Sequence, residues 1–415
     1  MAGVVGDVGD VGVVIVGAGL AGLRTAEGLR TNGYTGAITV VGDEEYPPYN
    51  RPPLSKEALA TGVDAGKLEF RRRDSLADVE WILGRPVERA DLKSRQVLLA
   101  DGTTLDFAGL VVASGIRPRL LPIPGPREGR VVLRTIDDAR ILRPLLVAGA
   151  QVVILGAGFI GCEVAATARK LDATVHIVAI DQEPMLRPLG VELGAGMRRR
   201  HEAHGVHFHL GKGIDACHGR STQDRVASVS LSDGTELPAD VLVEAVGSVT
   251  NVEWLDGNGL DLSDGVLVDG SMRAVGTDAL VVAAGDVARF PNALFGRVAR
   301  RVEHWNMPTE TGRRAGATLA ALLAGETPTT EPFTAMPSFW SDQYDYTIQS
   351  FGMPGLATDI VLASGTPDQP CIAEYRDQTG LIGVVGIDRT ADLAPYRKEL
   401  MARHPVSSTS EHAGQ

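Results

Sequence analysis

Val13-Val14-Ile15-Val16-Gly17-Ala18-Gly19-Leu20-Ala21-Gly22 is the stretch whose reading decides the fold. Four apolar residues of strand character enter a Gly-x-Gly-x-x-Gly turn, and a helix-forming segment follows. A strand, a tight turn and a helix N-terminus together make a pyrophosphate cradle. The first glycine permits the turn. The second lets the backbone approach the phosphates, and the third lets helix pack on strand. One such match is weak. The form returns at Val152-Val153-Ile154-Leu155-Gly156-Ala157-Gly158-Phe159-Ile160-Gly161, again between an apolar run and a plausible helix. Two matches in context predict a chain that binds two dinucleotides.

The repetition extends past the glycines. Asp101-Gly102-Thr103-Thr104-Leu105 leads to Leu110-Val111-Val112-Ala113-Ser114-Gly115. Asp233-Gly234-Thr235-Glu236-Leu237 leads to Val241-Leu242-Val243-Glu244-Ala245-Val246-Gly247. In both, an Asp-Gly turn predicts a hairpin, and an apolar strand ending in glycine follows. A nucleotide-binding module used twice explains the order. A third apolar strand, Ala279 to Ala284, ends in Gly285-Asp286, and nothing after it repeats the module. The Pro- and Thr-rich stretch Thr327 to Pro337 reads as a linker into a smaller α+β region. That region holds Phe339, Trp340, Tyr344 and Tyr346, then short β-like runs.

Bulk properties agree with a globular protein of several domains. The chain has 415 residues, 44% of them hydrophobic and 22% charged. No apolar run reaches the ~18 residues of a membrane span, and the net charge of −12 argues against nucleic acid as a partner. Met1 to Gly12 lacks Lys and Arg and is expected to be a short leader rather than a secretory signal. Pro405 to Gln415 is expected to fray. Cys162, Cys217 and Cys371 are far apart and odd in number, so neither a disulfide framework nor a metal or cluster motif is predicted. A cytoplasmic, reducing compartment fits them.

Further segments carry a resemblance. Gly42-Asp43-Glu44-Glu45, then Tyr49-Asn50-Arg51-Pro52-Pro53-Leu54-Ser55-Lys56, is similar to a stretch of the FAD-dependent ferredoxin reductases that serve bacterial cytochrome P450 and aromatic-ring dioxygenase systems. Leu133 to Ala139, Gly161-Cys162-Glu163-Val164-Ala165, Ala284-Gly285-Asp286 and Trp340-Ser341-Asp342-Gln343 also match, so the likeness spans about residues 12 to 400. It implies an α/β chain of the glutathione-reductase-type flavoprotein fold, with two Rossmann-like dinucleotide-binding domains and a C-terminal α+β domain. An FAD domain would comprise 1–115 and 248–328, an NAD(P)H domain 116–247, and the last domain 329–415.

Asp43 stands 21 positions after Gly22, at the end of the run Ile38 to Val41. A carboxylate there suits the ribose hydroxyls of the FAD adenosine, and Glu44 could share the task. The resemblance places Lys56, one of six lysines, beside the flavin ring, where a cation favours the reduced ring's negative charge. Lys56 is expected to pair with Glu163, in the first turn of the second cradle's helix, as the catalytic couple. FAD contacts are expected at Gly17, Gly19, Leu20, Ala21, Gly22 and Arg51. Val87, Ala113, Arg134, Gly285, Asp286 and Trp305 complete that set. The nicotinamide dinucleotide falls to Gly156, Gly158, Phe159, Ile160, Gly161, Glu163, Asp181 and Gly247.

One position departs from the family pattern. The run Thr174 to Val178 should end in an acid for the NADH ribose, and Ala179 stands there. Asp181 could substitute. Asp181 and Glu183 would repel a 2′-phosphate, so NADH is expected over NADPH. His201, His204, His207 and His209 are expected to be surface residues, with no metal site. The arginine clusters 71–73 and 198–200 read as solvated faces. Arg297, Arg300 and Arg301 could guide an acidic ferredoxin.

The chain has no Cys-x-x-Cys pair, haem motif or cluster motif, so electrons must leave to a separate one-electron acceptor. The resemblance makes that acceptor a [2Fe–2S] ferredoxin feeding a P450 or Rieske oxygenase. Rubredoxin reductase is the nearest alternative. An NADH oxidase would be expected to carry a redox cysteine near position 45, where Glu45 stands. A protein like apoptosis-inducing factor, which binds nucleotide as a conformational signal, is the alternative of another class.

Overall fold

The computed structural model describes residues 11–219 and 224–403; the leader through Asp10 and the segment Pro405 to Gln415 lie outside the described residues. Two five-stranded parallel sheets dominate it. The first runs Val281–Ala283, Gly109–Val112, Val13–Val16, Ile38–Val41, Glu80–Ile82 across its width. The second runs Arg130–Val131, Val241–Glu244, Gln151–Leu155, Thr174–Ala179, Val206–Leu210. Each is built around its glycine-turn strand, and both central strands are buried along almost their whole length. That burial on both faces explains why they read as continuous apolar runs rather than alternating ones.

The hairpins recur as well. Gln96–Leu99 pairs antiparallel with Thr104–Asp106, and Val226–Leu231 with Glu236–Pro238. In each, two backbone bonds close the Asp-Gly turn: Gly102 N–H donates to Leu99 O and Leu99 N–H to Thr103 O, and likewise Gly234 N–H to Leu231 O and Leu231 N–H to Thr235 O. The chain leaves the first sheet through Ile116–Pro118 and returns through Ser248–Thr250, and these two short strands pair antiparallel. The first sheet therefore receives its outer strand, Val281–Ala283, only after the second sheet is complete.

After the helix Met307–Leu323, no helix or strand forms until Ser338. A five-stranded antiparallel sheet and the helix Ala394–Met401 follow. The strand at one edge of that sheet, Ser338–Gln343, lies against the helix Phe159–Lys170 of the second cradle. The helix Leu186–Ala203 is kinked at Gly190 (φ 79°) and docks on the same sheet, where Tyr375 Oη donates to Leu189 O at 2.8 Å. No helix among the described residues is long and apolar enough to cross a membrane.

Candidate functional site

The two glycine turns are close copies. The first glycine has a positive φ, 119° at Gly17 and 109° at Gly156, a region costly for other residues. At the third, a Cβ would lie 2.0 Å from Gly17 O (Gly22) or 2.2 Å from Gly156 O (Gly161), so only glycine lets helix meet turn. The second glycines behave differently. At Gly19 and Gly158 a Cβ would meet no protein atom within 4 Å. Each of these glycines caps its helix without a side-chain bond. The first-turn N–H groups of both helices therefore stay available to an anion.

Beside the first turn lies a cavity of about 490 Å³, within the usual ~300–1,000 Å³ of a cofactor cleft. Gly17, Gly19, Leu20, Ala21, Asp43, Glu44, Arg51, Lys56, Ala113, Arg134, Gly285, Asp286 and Trp305 all line it. So do three residues expected on the nicotinamide side, Phe159, Ile160 and Glu163. Asp43 is exposed within the lining. Glu44 is not its equal: its carboxylate binds Arg51 Nη2 and Tyr49 Oη, both at 2.5 Å. Burial and the Glu44 carboxylate push the Tyr49 phenol up, so it stays a neutral donor. Asp286 accepts from Arg134 Nη2 at 3.0 Å, and burial pushes its carboxyl up. Arg134 Nε is buried without a partner. An unpartnered guanidinium N–H, an open glycine cradle and an exposed strand-end acid in one cleft fit a dinucleotide such as FAD.

Across the cavity, Lys56 Nζ lies 2.8 Å from Glu163 Oε1, although 107 residues separate them in the chain. Glu163 also accepts from Ser55 Oγ (2.5 Å) and Ser341 Oγ (2.6 Å). Three polar contacts compensate a buried carboxylate that would otherwise be costly. Lys56 reaches this place from the turn after Pro52–Ser55, and Glu163 from the buried face of Phe159–Lys170. Phe159 and Phe339 pack at 4.8 Å between centroids, and Trp305 meets Trp340 edge-on at 5.3 Å. Trp305 is 39% exposed and Trp340 36%, so this side of the cavity opens to solvent.

Other predicted site residues lie elsewhere. Val87 is on the strand Val87–Asp91, outside the cavity lining. Gly156, Gly158, Gly161 and Gly247 belong to the second cradle, also outside it. Asp181 is exposed past the strand Thr174–Ala179, its carbonyl accepting from Gly211 N–H. Glu183 is bound to Arg198 at 2.9 Å, so its charge is largely engaged.

Two surface readings need correction. His201 is fully buried: Nε2 lies 2.7 Å from Gln343 Oε1 and Nδ1 3.1 Å from Tyr344 Oη. The C-terminal sheet covers that helix face. The arginines are not simply solvated. Arg199 pairs with Asp368, and Arg200 with Asp388. Arg301 is paired with Asp264 and Glu303, and Arg300 donates to the carbonyls of Phe295 and Val298. Of the cluster expected to guide a ferredoxin, only Arg297 is exposed. Ser341, Gln343 and Tyr49 join the site although no sequence motif assigns them a role there. The Trp-Ser-Asp-Gln run was the available signal for the first two.

Comparison with known proteins places the chain. A family model described as pyridine nucleotide-disulphide oxidoreductase matches residues 11–312, and one described as reductase C-terminal matches residues 338–412. Putidaredoxin reductase of Pseudomonas putida is 34% identical over 403 residues, covering 95% of this chain and 92% of its own. The ferredoxin–NAD(+) reductase component of the anthranilate 1,2-dioxygenase system of Burkholderia cepacia is 37% identical over 358 residues, covering 84% of each. The crystal structure of the covalent putidaredoxin reductase–putidaredoxin complex superposes with a TM-score of 0.87 at 32% identity, covering 97% of this chain and 95% of that one.

Proposed function

This chain belongs to the pyridine nucleotide-disulphide oxidoreductase family, and from that premise we propose an FAD-dependent ferredoxin reductase. It takes electrons from a nicotinamide dinucleotide and delivers them to a [2Fe–2S] ferredoxin of a P450 or ring-hydroxylating dioxygenase system. The observation that carries this reading is one continuous cleft. It joins the first glycine cradle, the Lys56–Glu163 pair and the exposed Trp305–Trp340 edge. Bound FAD would accept a hydride from the nicotinamide and release electrons one at a time.

The residues divide that work. Gly19 and the first turn of Leu20–Thr31 would hold the FAD pyrophosphate, Asp43 the adenosine ribose, and Asp286 with Arg134 the middle of the cofactor. Lys56, fixed by Glu163, would supply the cation beside the ring. Phe159 and Ile160 line the cleft from the second cradle, where the nicotinamide would enter. We assign residues 11–115 and 248–328 to the FAD domain, 116–247 to the nicotinamide domain and 329–403 to the C-terminal domain. NADH is the preferred donor in this reading. Asp181 is exposed two residues past the strand-end Ala179 and would oppose a 2′-phosphate.

The test is anaerobic reduction of the FAD-loaded protein by NADH and by NADPH, followed by addition of putidaredoxin-type [2Fe–2S] ferredoxins. NADH should bleach the flavin and the electrons should pass to a ferredoxin. A flavin that neither nucleotide reduces, or that passes electrons to no ferredoxin, overturns the assignment.

A further inference from the structure

Behind Glu163 runs a chain of buried polar side chains that the proposed chemistry does not use. Ser341 Oγ lies 2.6 Å from Glu163 Oε1. Gln343 Nε2 lies 3.0 Å from Ser341 Oγ, and Gln343 Oε1 lies 2.7 Å from His201 Nε2 and 3.0 Å from Tyr346 Oη. His201 Nδ1 lies 3.1 Å from Tyr344 Oη. Ser341, Gln343 and His201 are each at most 1% exposed. They come from the kinked helix Leu186–Ala203 and the strand Ser338–Gln343, distant in sequence from one another and from Lys56.

The chemistry of the groups fixes a direction. A carboxylate only accepts, so Ser341 spends its proton on Glu163. Ser341 Oγ must then accept, and Gln343 offers it an N–H. This orientation turns Gln343 Oε1 towards His201, whose Nε2 must carry the proton. His201 Nδ1 is then an acceptor, and Tyr344 Oη donates to it. Every donor points towards Glu163. Burial holds the imidazole at about 4, below its ordinary value, so it stays neutral with one N–H and one acceptor. Reversing Gln343 would break the order at each step and turn the Ser341 proton away from the carboxylate.

We propose that Ser341, Gln343 and His201 are positioning residues, a one-way hydrogen-bond chain from the C-terminal domain that holds Glu163 as an acceptor for Lys56. The proposal rests on the reading of Lys56 and Glu163 as the couple beside the flavin. It gives the C-terminal domain a part in the hydride step in addition to any contact with ferredoxin. The chain acts on the orientation of an existing pair, so it should change the rate of flavin reduction more than the binding of NADH.

The first measurement needs no substitution. Imidazole ¹⁵N shifts of the FAD-loaded protein at neutral pH should show His201 protonated at Nε2 alone. Protonation at Nδ1 reverses Gln343 and overturns the proposal. The second is stopped-flow reduction by NADH. Ser341→Ala should slow it about tenfold, the worth of one hydrogen bond to a charged group, with the NADH dissociation constant and FAD content unchanged. Ser341→Thr, which keeps the hydroxyl, should restore most of the rate. A Ser341→Ala protein that reduces at the wild-type rate sinks the idea, as does weaker NADH binding in proportion to the loss or a failure of Thr to rescue. If the unsubstituted holoprotein accepts no electrons from either nucleotide, the functional assignment fails while the tautomer remains readable.

Discussion

The two glycine cradles share a backbone and differ in what surrounds it. Their φ angles at the first glycine differ by only 10°, and their third glycines are locked by the same close carbonyl. At the first, the strand end offers Asp43, and the neighbouring Glu44 is tied into Arg51 and Tyr49. A cleft of about 490 Å³ lies beside it. At the second, the strand end offers buried Ala179 and then Ile180, which is 80% exposed. The cradle is thus generic, and retention depends on strand-end chemistry and enclosure. The enclosed site suits a resident cofactor, and the open one suits a substrate that leaves each cycle.

The strongest way to break this comparison is to fill the two second glycines. A Cβ at Gly19 or Gly158 meets no protein atom within 4 Å, so Gly19→Val and Gly158→Val should both fold. Gly19→Val should purify without flavin absorbance. Gly158→Val should retain FAD, with the KM for NADH raised at least about tenfold, since backbone approach to a pyrophosphate is blocked. If Gly158→Val were the variant to lose flavin, the two sites would have to be exchanged. Gly22→Ala tests the packing half: a Cβ 2.0 Å from Gly17 O should cost about 3 kcal/mol of stability, read as a lower urea midpoint.

Next in size are the residues where the cradles meet. Lys56→Met should slow anaerobic flavin reduction about 100-fold, the usual scale for removing one electrostatic stabiliser. FAD content should stay near wild type. A Lys56→Met protein with an unchanged reduction rate would remove the pair from the proposed mechanism.

A smaller effect concerns stability. His201 and His304 are held at about 4 by burial, and His176 at about 4 by burial and its histidine neighbours. Unfolded, each would protonate near 6.5. Between about pH 6.5 and 4 the unfolded chain therefore binds more protons, and stability falls as the pH is lowered. Each group can contribute up to about 1.4 kcal/mol per pH unit in that window. Above pH 6.5 their stabilisation is complete. His201→Gln should flatten the acid limb of a urea-midpoint-against-pH plot. An unchanged limb would mean that His201 is not held neutral.

What is legible in the sequence follows from distance along the chain. The cradles, hairpins and strand-end Asp43 are local patterns whose physics lies within about 25 residues, and both sheets are organised around them. The Tyr49–Arg51–Glu44 knot is also local, but its hydrogen bonds depend on a turn that residue types leave open. The chain from His201 to Glu163 spans sequence separations of 142 and 178 residues. His201 looked like a surface residue because nothing in its helix announces that a third domain will cover that face. One partner of Arg301 is hidden likewise, since Asp264 is 37 residues away.

The smallest expected effect sharpens the second cradle itself. Three features near its strand end could discriminate against a 2′-phosphate, and they are not equivalent. Ala179 is buried and carries no charge. Glu183 is bound to Arg198, which also holds Glu202 at 3.1 Å, so removing Glu183 leaves the arginine still engaged. Asp181 is exposed, and its backbone is fixed by Gly211 N–H. It should therefore carry most of the discrimination, weakened by solvent screening. Asp181→Asn should lower the NADH-to-NADPH ratio of kcat/KM about fivefold, and Glu183→Gln about twofold or less, the range of exposed charge interactions. A larger effect at Glu183 would mean that the Arg198 pair opens when nucleotide binds. The second cradle would then have a strand-end acid after all, supplied from the following loop, and the contrast with Asp43 would be one of timing rather than of composition.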